Sequence, residues 1–194
     1  TVLLGERCGV ADQMAEITKR AMNGELAYAE SLRQRCALLE GLDDDQAAAA
    51  FDAVVLREGA ANVIENLNDA GVHTAVLTGG FERGVEAALA KSGVSVDTVV
   101  ANRLPVEDGQ LTGDVEGPLI EGTKDTALKN LVDDLDLDLS ETVVVGDGAN
   151  DLPMLEVAGL AIGFEPKPAV EGACDIVVES MVELQIILEE ERVL

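Results

Sequence analysis

Residues 146–155 read GDGANDLPML, the segment of this 194-residue chain densest in groups able to do chemistry. Gly146 and Gly148 let the backbone turn sharply after a strand. Asp147 sits on that turn, and Asp151 follows four residues later, in what reads as the first turn of a helix. The spacing lets both carboxylates point back toward the strand end, and a pair of carboxylates suits a hard cation such as magnesium. Asn150 adds a neutral polar group able to orient a ligand. Two other readings compete. Gly146 and Gly148 match the first two glycines of a dinucleotide-binding GxGxxG, but the third position is Asp151, whose charge would repel a pyrophosphate. Alternatively, Asp147 and Asp151 merely cap the helix.

Three further segments hold polar groups in useful places. VLTGGF, residues 76–81, sets a hydroxyl and two glycines at the end of an apolar run, where Thr78 and backbone N–H groups can surround a phosphoryl oxygen; the bland reading is a simple turn. Lys124 stands near a helix start. It is one of only five lysines, and phosphoryl transfer needs a cation to hold the anionic group; the bland reading is a solvated surface charge. Of Arg33 and Arg35, one suits surface pairing with Glu30 or Glu40 and the other can hold a carboxylate bidentately.

Other features carry less. His73 has no Cys or His partner nearby and reads as a core or edge histidine. Asp134, Asp136 and Asp138 begin like a calcium loop, but Leu139 occupies the turn-glycine position and Val145 the twelfth, so they read as a solvated acidic face. Cys8, Cys36 and Cys174 form no CxxC pair and read as reduced, partly buried thiols. No Walker A, GxSxG or HExxH motif occurs.

The elements that must position these groups fall into two stretches. Residues 1–50 read as helical. Met14, Ile17, Ala21 and Met22 recur at helical spacing over 11–22, with Asn23 and Gly24 as the break. A second helix spans about 28–39, with Leu32, Cys36 and Leu39 on one face, and Asp43–Asp45 can cap a third. From Glu58, helices and strands alternate. The spacing predicts a helix over 60–70, a strand over 72–77 ending in Thr78-Gly79-Gly80, a helix to about Lys91, and a strand over 96–100. A hairpin over 102–119 turns at Asp108-Gly109. A helix over 123–132, a strand over 142–145, a helix from about Asn150 and a short strand over 160–163 complete the reading. Such alternation implies a parallel sheet covered on both faces, an α/β Rossmann-like core. Ligands bind beyond the carboxyl ends of strands in such sheets, and both Thr78 and Asp147 are expected there.

Composition narrows the class. Apolar residues make up 47% of the chain and aromatics only 2%, so the core must be aliphatic. Thirty-eight acids against thirteen bases give a net charge of −25, a surface that repels nucleic acid and anionic membranes. The acids are spread along the chain, which argues against a disordered tail. Many acids with few lysines suit a cytoplasm of concentrated salt, where screening removes the repulsion that opposes folding, and a halophilic source is expected. No apolar run approaches a membrane span, and the first residues do not read as a signal peptide. A cytoplasmic protein, monomer or homodimer, is expected.

Taken in order, these segments resemble the phosphoserine phosphatases of the haloacid dehalogenase superfamily. AMNGELAYAESLRQR (21–35) resembles the family's cap stretch, VLTGGF its second motif, ANRLPVEDGQLTGDVEG (101–117) its flap hairpin, Lys124 its third motif and GDGANDLPML its fourth. The resemblance implies a helical cap domain over 1–56 and an α/β core over 57–194, with the flap at about 101–119. It implies magnesium-dependent hydrolysis of a small phosphomonoester, O-phosphoserine, through an aspartyl phosphate. Asp147 would be a metal ligand and Asp151 would support the metal site from close by. Thr78 and the Gly79 backbone would hold the phosphoryl group, Lys124 would neutralise it, and Asn150 would position it. Arg35 would grip the substrate carboxylate, and Met22 and Tyr28 would line the pocket, Tyr28 standing where Phe is more usual. The family's opening strand, its DxDxT loop and a cap Glu that reads the substrate amine are not among the 194 residues. Thr1 matches the first cap helix, and a segment of about 20 residues is expected ahead of it. Two alternatives stand beside this reading: a phosphatase of the same fold acting on another small phosphomonoester, and a protein that binds phosphate or an amino acid without turnover.

Overall fold

The computed structural model describes residues 2–23, 25–121 and 123–194. The chain divides into two compact units, Thr1–Leu56 with Thr78–Val94 and Val99–Glu121, and Arg57–Leu77 with Ser95–Thr98 and Gly122–Leu194. Two stretches expected in the core, 78–94 and 99–121, group with the first unit.

The first unit opens with four helices: α1 (Val2–Cys8), α2 (Ala11–Met22), α3 (Tyr28–Ala37) and α4 (Asp44–Phe51). The stripes that build them are aliphatic. Leu4, Met14, Leu32, Cys36, Leu39, Ala47 and Phe51 are buried in one cluster with Phe81, Leu104, Leu111 and Ile120. The expected capping of α4 by its acids is not made. Asp43 carries no side-chain cap bond; its carboxylate instead accepts from Gln110 at 3.0 Å, and that of Asp44 from Arg83 at 2.5 Å. These contacts show why the later stretches group with the helices. Helix α6 (Glu82–Ser92) supplies Arg83, and its Lys91 donates to the carbonyls of Asp52 and Val54 just past α4. The hairpin β3 (Val106–Glu107) and β4 (Gln110–Leu111) turns at Asp108-Gly109 as the sequence predicts, both with positive φ. Its Leu111 exchanges backbone hydrogen bonds with Gly41 and Leu42.

In the second unit, β5 (Val143–Gly146), β6 (Leu160–Phe164) and β7 (Ile176–Val178) form a three-stranded sheet, parallel throughout. Both faces are covered, as expected of an α/β core. Val144 and Ala161 face a cluster with Leu128, Val132, Met154 and Val170, supplied by α7 (Lys124–Asp134), α8 (Leu152–Leu155) and α9 (Pro168–Glu171). The neighbouring Ile162 faces a second cluster with Val63 of α5 (Ala60–Asp69) and Leu184 and Leu188 of α10 (Met181–Glu190). Neighbouring strand residues thus point to opposite faces. The elements β7, α9 and α10 lie beyond the last strand read from the sequence.

Strand β1 (Ala75–Phe81) pairs with β2 (Thr98–Asn102) in a separate two-stranded sheet. It starts three residues later than expected and runs through Thr78-Gly79-Gly80. Its start is delayed because Thr74 is held outside the strand: its N–H and hydroxyl both donate to Asp97, at 2.8 and 3.1 Å. His73 lies just ahead, exposed, its ring nitrogen 2.9 Å from the Thr98 hydroxyl.

Candidate active site

Four expected site residues gather where β5 ends. Gly146 closes the strand, and a Cβ there would stand 2.6 Å from Cβ of Asp151, so only glycine lets the Asp151 side chain fold back onto the strand end. That side chain is nearly buried and fully used. Oδ1 accepts from Nζ of Lys124 at 2.5 Å, while Oδ2 accepts the backbone N–H groups of Asp147 at 2.9 Å and Gly148 at 3.1 Å. Burial pushes the Asp151 carboxyl up, but the hydrogen bond and charge of Lys124 and the two backbone donors outweigh it and hold the group below its ordinary value. The Asn150 amide reaches Oδ1 at 3.4 Å, a weak contact. Lys124 occupies the first turn of α7, its side chain 13% exposed.

Asp147 contrasts with Asp151. Its side chain is 59% exposed, and its Oδ2 lies 3.2 Å from Nζ of Lys167. An accessible carboxylate on a strand-end loop fits a divalent cation of the hard, oxygen-seeking kind. Asp151 fits less well as a direct ligand, because both of its oxygens already accept from the protein. Among the described residues no group of three or more His, Cys, Asp or Glu side chains gathers as a metal site.

In the first unit the structure brings Tyr28 and Gly79 together. The Tyr28 hydroxyl donates to the Gly79 carbonyl at 3.3 Å. A Cβ at Gly79 would meet that hydroxyl, so a side chain there would displace the Tyr28 ring tip. Thr78 is half-buried, its hydroxyl accepting from the Gly80 N–H at 3.0 Å. Arg35 donates from Nε to the Ser31 carbonyl at 3.2 Å. Burial pushes the Tyr28 phenol up, and the positive charge of Arg35 partly opposes this. Arg33 is surface-paired, with Glu121 at 2.6 Å and not with Glu30 or Glu40. Met22 ends α2, and its side chain lies outside the described residues.

Two residues that sequence reasoning passed over take part. Asn102 is fully buried at the end of β2. Its amide donates to the carbonyls of Gly79 at 3.1 Å and Leu119 at 3.2 Å, and its oxygen accepts from the Leu119 N–H at 3.0 Å. A lone Asn before a hairpin is an ordinary turn signal, and nothing local marks it as buried. Lys167 is the second. Its only signal is rarity among the bases and the Lys-Pro step that opens α9.

The haloacid dehalogenase-like hydrolase model matches residues 4–156. The phosphoserine phosphatase of Halobacterium salinarum is 52% identical over 187 residues, 96% of this chain and 89% of that protein. That of Methanocaldococcus jannaschii is 40% identical over 177 residues, 91% of this chain and 83% of that protein. Among solved structures, a substrate-bound phosphoserine phosphatase superposes with a TM-score of 0.83 at 38% identity, covering 97% of this chain and 89% of that one. A phospho-aspartyl intermediate analogue of a phosphoserine phosphatase gives 0.83 at 39% identity, with the same coverage. Matched by that family model over residues 4–156 and 52% identical to a relative along nearly its whole length, the chain belongs to the haloacid dehalogenase-like hydrolases.

Proposed function

We propose that this protein hydrolyses O-phosphoserine to serine and phosphate. The observation that carries the reading is the loop after β5, where Asp151 is locked by Lys124 and two backbone amides while Asp147 stays accessible. The relatives' names support the substrate. The reaction takes two steps. An aspartate nucleophile attacks phosphorus as serine leaves, and water then hydrolyses the aspartyl phosphate.

The chain's own residues have distinct tasks in this reading. Asp147 holds a divalent cation, Mg2+, which when bound supplies charge stabilisation to the transferred group. Asp151 is not a ligand; it fixes the loop so that Asp147 is preorganised, and it fixes the Lys124 ammonium. Lys124 neutralises phosphoryl charge, while the Thr78 hydroxyl and Gly79 backbone hold phosphoryl oxygens. Asn150 orients the phosphate. Arg35 holds the substrate carboxylate, and Tyr28 and Met22 line the pocket around it.

The test is turnover of the full-length protein on O-phosphoserine, O-phosphothreonine and sugar phosphates with Mg2+ titrated. Phosphoserine should be preferred, and Asp147→Asn should lose Mg2+-dependent turnover while keeping the circular dichroism spectrum. Preference for a sugar phosphate would move the function to another phosphomonoester. Unchanged turnover in Asp147→Asn would remove Asp147 from the cation site.

A further inference from the structure

The carboxylate assigned to the cation already has a cationic partner of the chain's own. Nζ of Lys167 lies 3.2 Å from Oδ2 of Asp147, and the backbone N–H of Lys167 donates to the carbonyl of Asp147 at 2.9 Å. The main-chain bond matters because it fastens the base of the lysine beside the loop, so that only the side chain is free to move. The ammonium lies over Gly148, 3.3 Å from where a Cβ would stand, so the absence of a side chain there leaves it room. Pro168 follows at the first turn of α9 and stiffens the step.

Two lysines thus face two carboxylates at the end of β5, in different environments. The Lys124–Asp151 side chains are 13% and 5% exposed, and those of Lys167–Asp147 are 67% and 59% exposed. The first pair is sequestered, Asp151 holding the Lys124 ammonium in place. The second is open to exchange, and an ammonium and a divalent cation cannot both occupy the same carboxylate edge without repelling one another.

We infer that Lys167 is a positioning residue that competes with the divalent cation for Asp147 and so sets the concentration at which the site loads. This rests on the reading of Asp147 as the cation-holding residue. An exposed pair of this kind is worth about a two- to fivefold change in an equilibrium constant, and salt screens it.

The test is calorimetric titration of Mg2+ alone into the full-length protein, at the lowest KCl that leaves its circular dichroism spectrum unchanged. Lys167→Met should bind Mg2+ about two- to fivefold more tightly than the parent, with the gap narrowing in molar KCl. Lys167→Arg, which keeps the charge, should stay close to the parent. Asp147→Asn should lose the binding. Equal or weaker binding in Lys167→Met, with Asp147→Asn still losing it, would overturn the role of Lys167 and leave the cation site standing. Undiminished binding in Asp147→Asn would overturn both. Since the Lys167 side chain is mostly solvent-exposed, its replacement leaves no cavity, and a cooperative melt of each variant checks the fold.

Discussion

Asp151 and Lys124 show how a nearly buried pair differs from a surface one. Removing one partner leaves the other charged and unpaired in a poorly hydrated place, which costs about 3–5 kcal/mol. Asp151→Ala should therefore lower the unfolding free energy by about 3 kcal/mol, read by urea denaturation, and Asp151→Asn should lose less because an amide oxygen can still accept the two backbone N–H groups. The pH dependence has a definite sign. The Asp151 carboxyl is held below its ordinary value in the folded state. Its contribution is thus complete above the unfolded carboxyl pKa of about 3.9 and is lost as pH falls through the lowered folded value. Denaturation at pH 7 and at pH 3, parent against Asp151→Asn, should show the gap between them closing in acid. The candidates Asp147, Asn150 and Asp151 were legible because glycines, carboxylates and spacing coincide within six residues. The pairing of Asp151 with Lys124 was not, because 27 residues of chain separate them. Burial pushes the Cys36 thiol up to about 11, which keeps it protonated near neutral pH.

At the level of elements, stretches with a strong repeat were legible and those fixed by single long-range bonds were not. Helices α2 and α3 follow their apolar stripes, and the hairpin follows Asp108-Gly109. The limits of β1 depend on Asp97 pulling Thr74 out of the strand, a contact 23 residues long that no local pattern announces. Strand β7 is only three residues, and α10 is apolar on several faces, so neither shows a clean period. The end of β2 is pinned by Asn102. Asn102→Ala would strip partners from the Gly79 and Leu119 carbonyls and from the Leu119 N–H, and each buried group left unpaired costs about 1–3 kcal/mol. The expected outcome is a loss of at least about 1 kcal/mol in urea denaturation, with faster hydrogen exchange at Leu119. An unchanged Leu119 exchange rate would mean that water replaces the amide.

For the molecule as a whole, charge dominates. A net charge of −25 on 194 residues opposes the compact state by self-repulsion. Screening shortens the reach of that repulsion from about 10 Å at 0.1 M salt to about 3 Å at 1 M. The thermal midpoint should rise steadily with KCl, and the helical signal should weaken in dilute buffer; full structure without salt would count against a halophilic source. No helix among the described residues is long and apolar enough to cross a membrane. The scarcity of aromatics has an optical consequence. With no tryptophan and one tyrosine among the 194 residues, Tyr28 is the one residue of these that emits when excited beyond the absorption of phenylalanine. That ring donates its hydroxyl to Gly79, the residue proposed to meet the phosphoryl group. The one tyrosine of these 194 residues therefore stands at the proposed substrate site, and phosphoserine binding should change tyrosine emission excited beyond the absorption of phenylalanine.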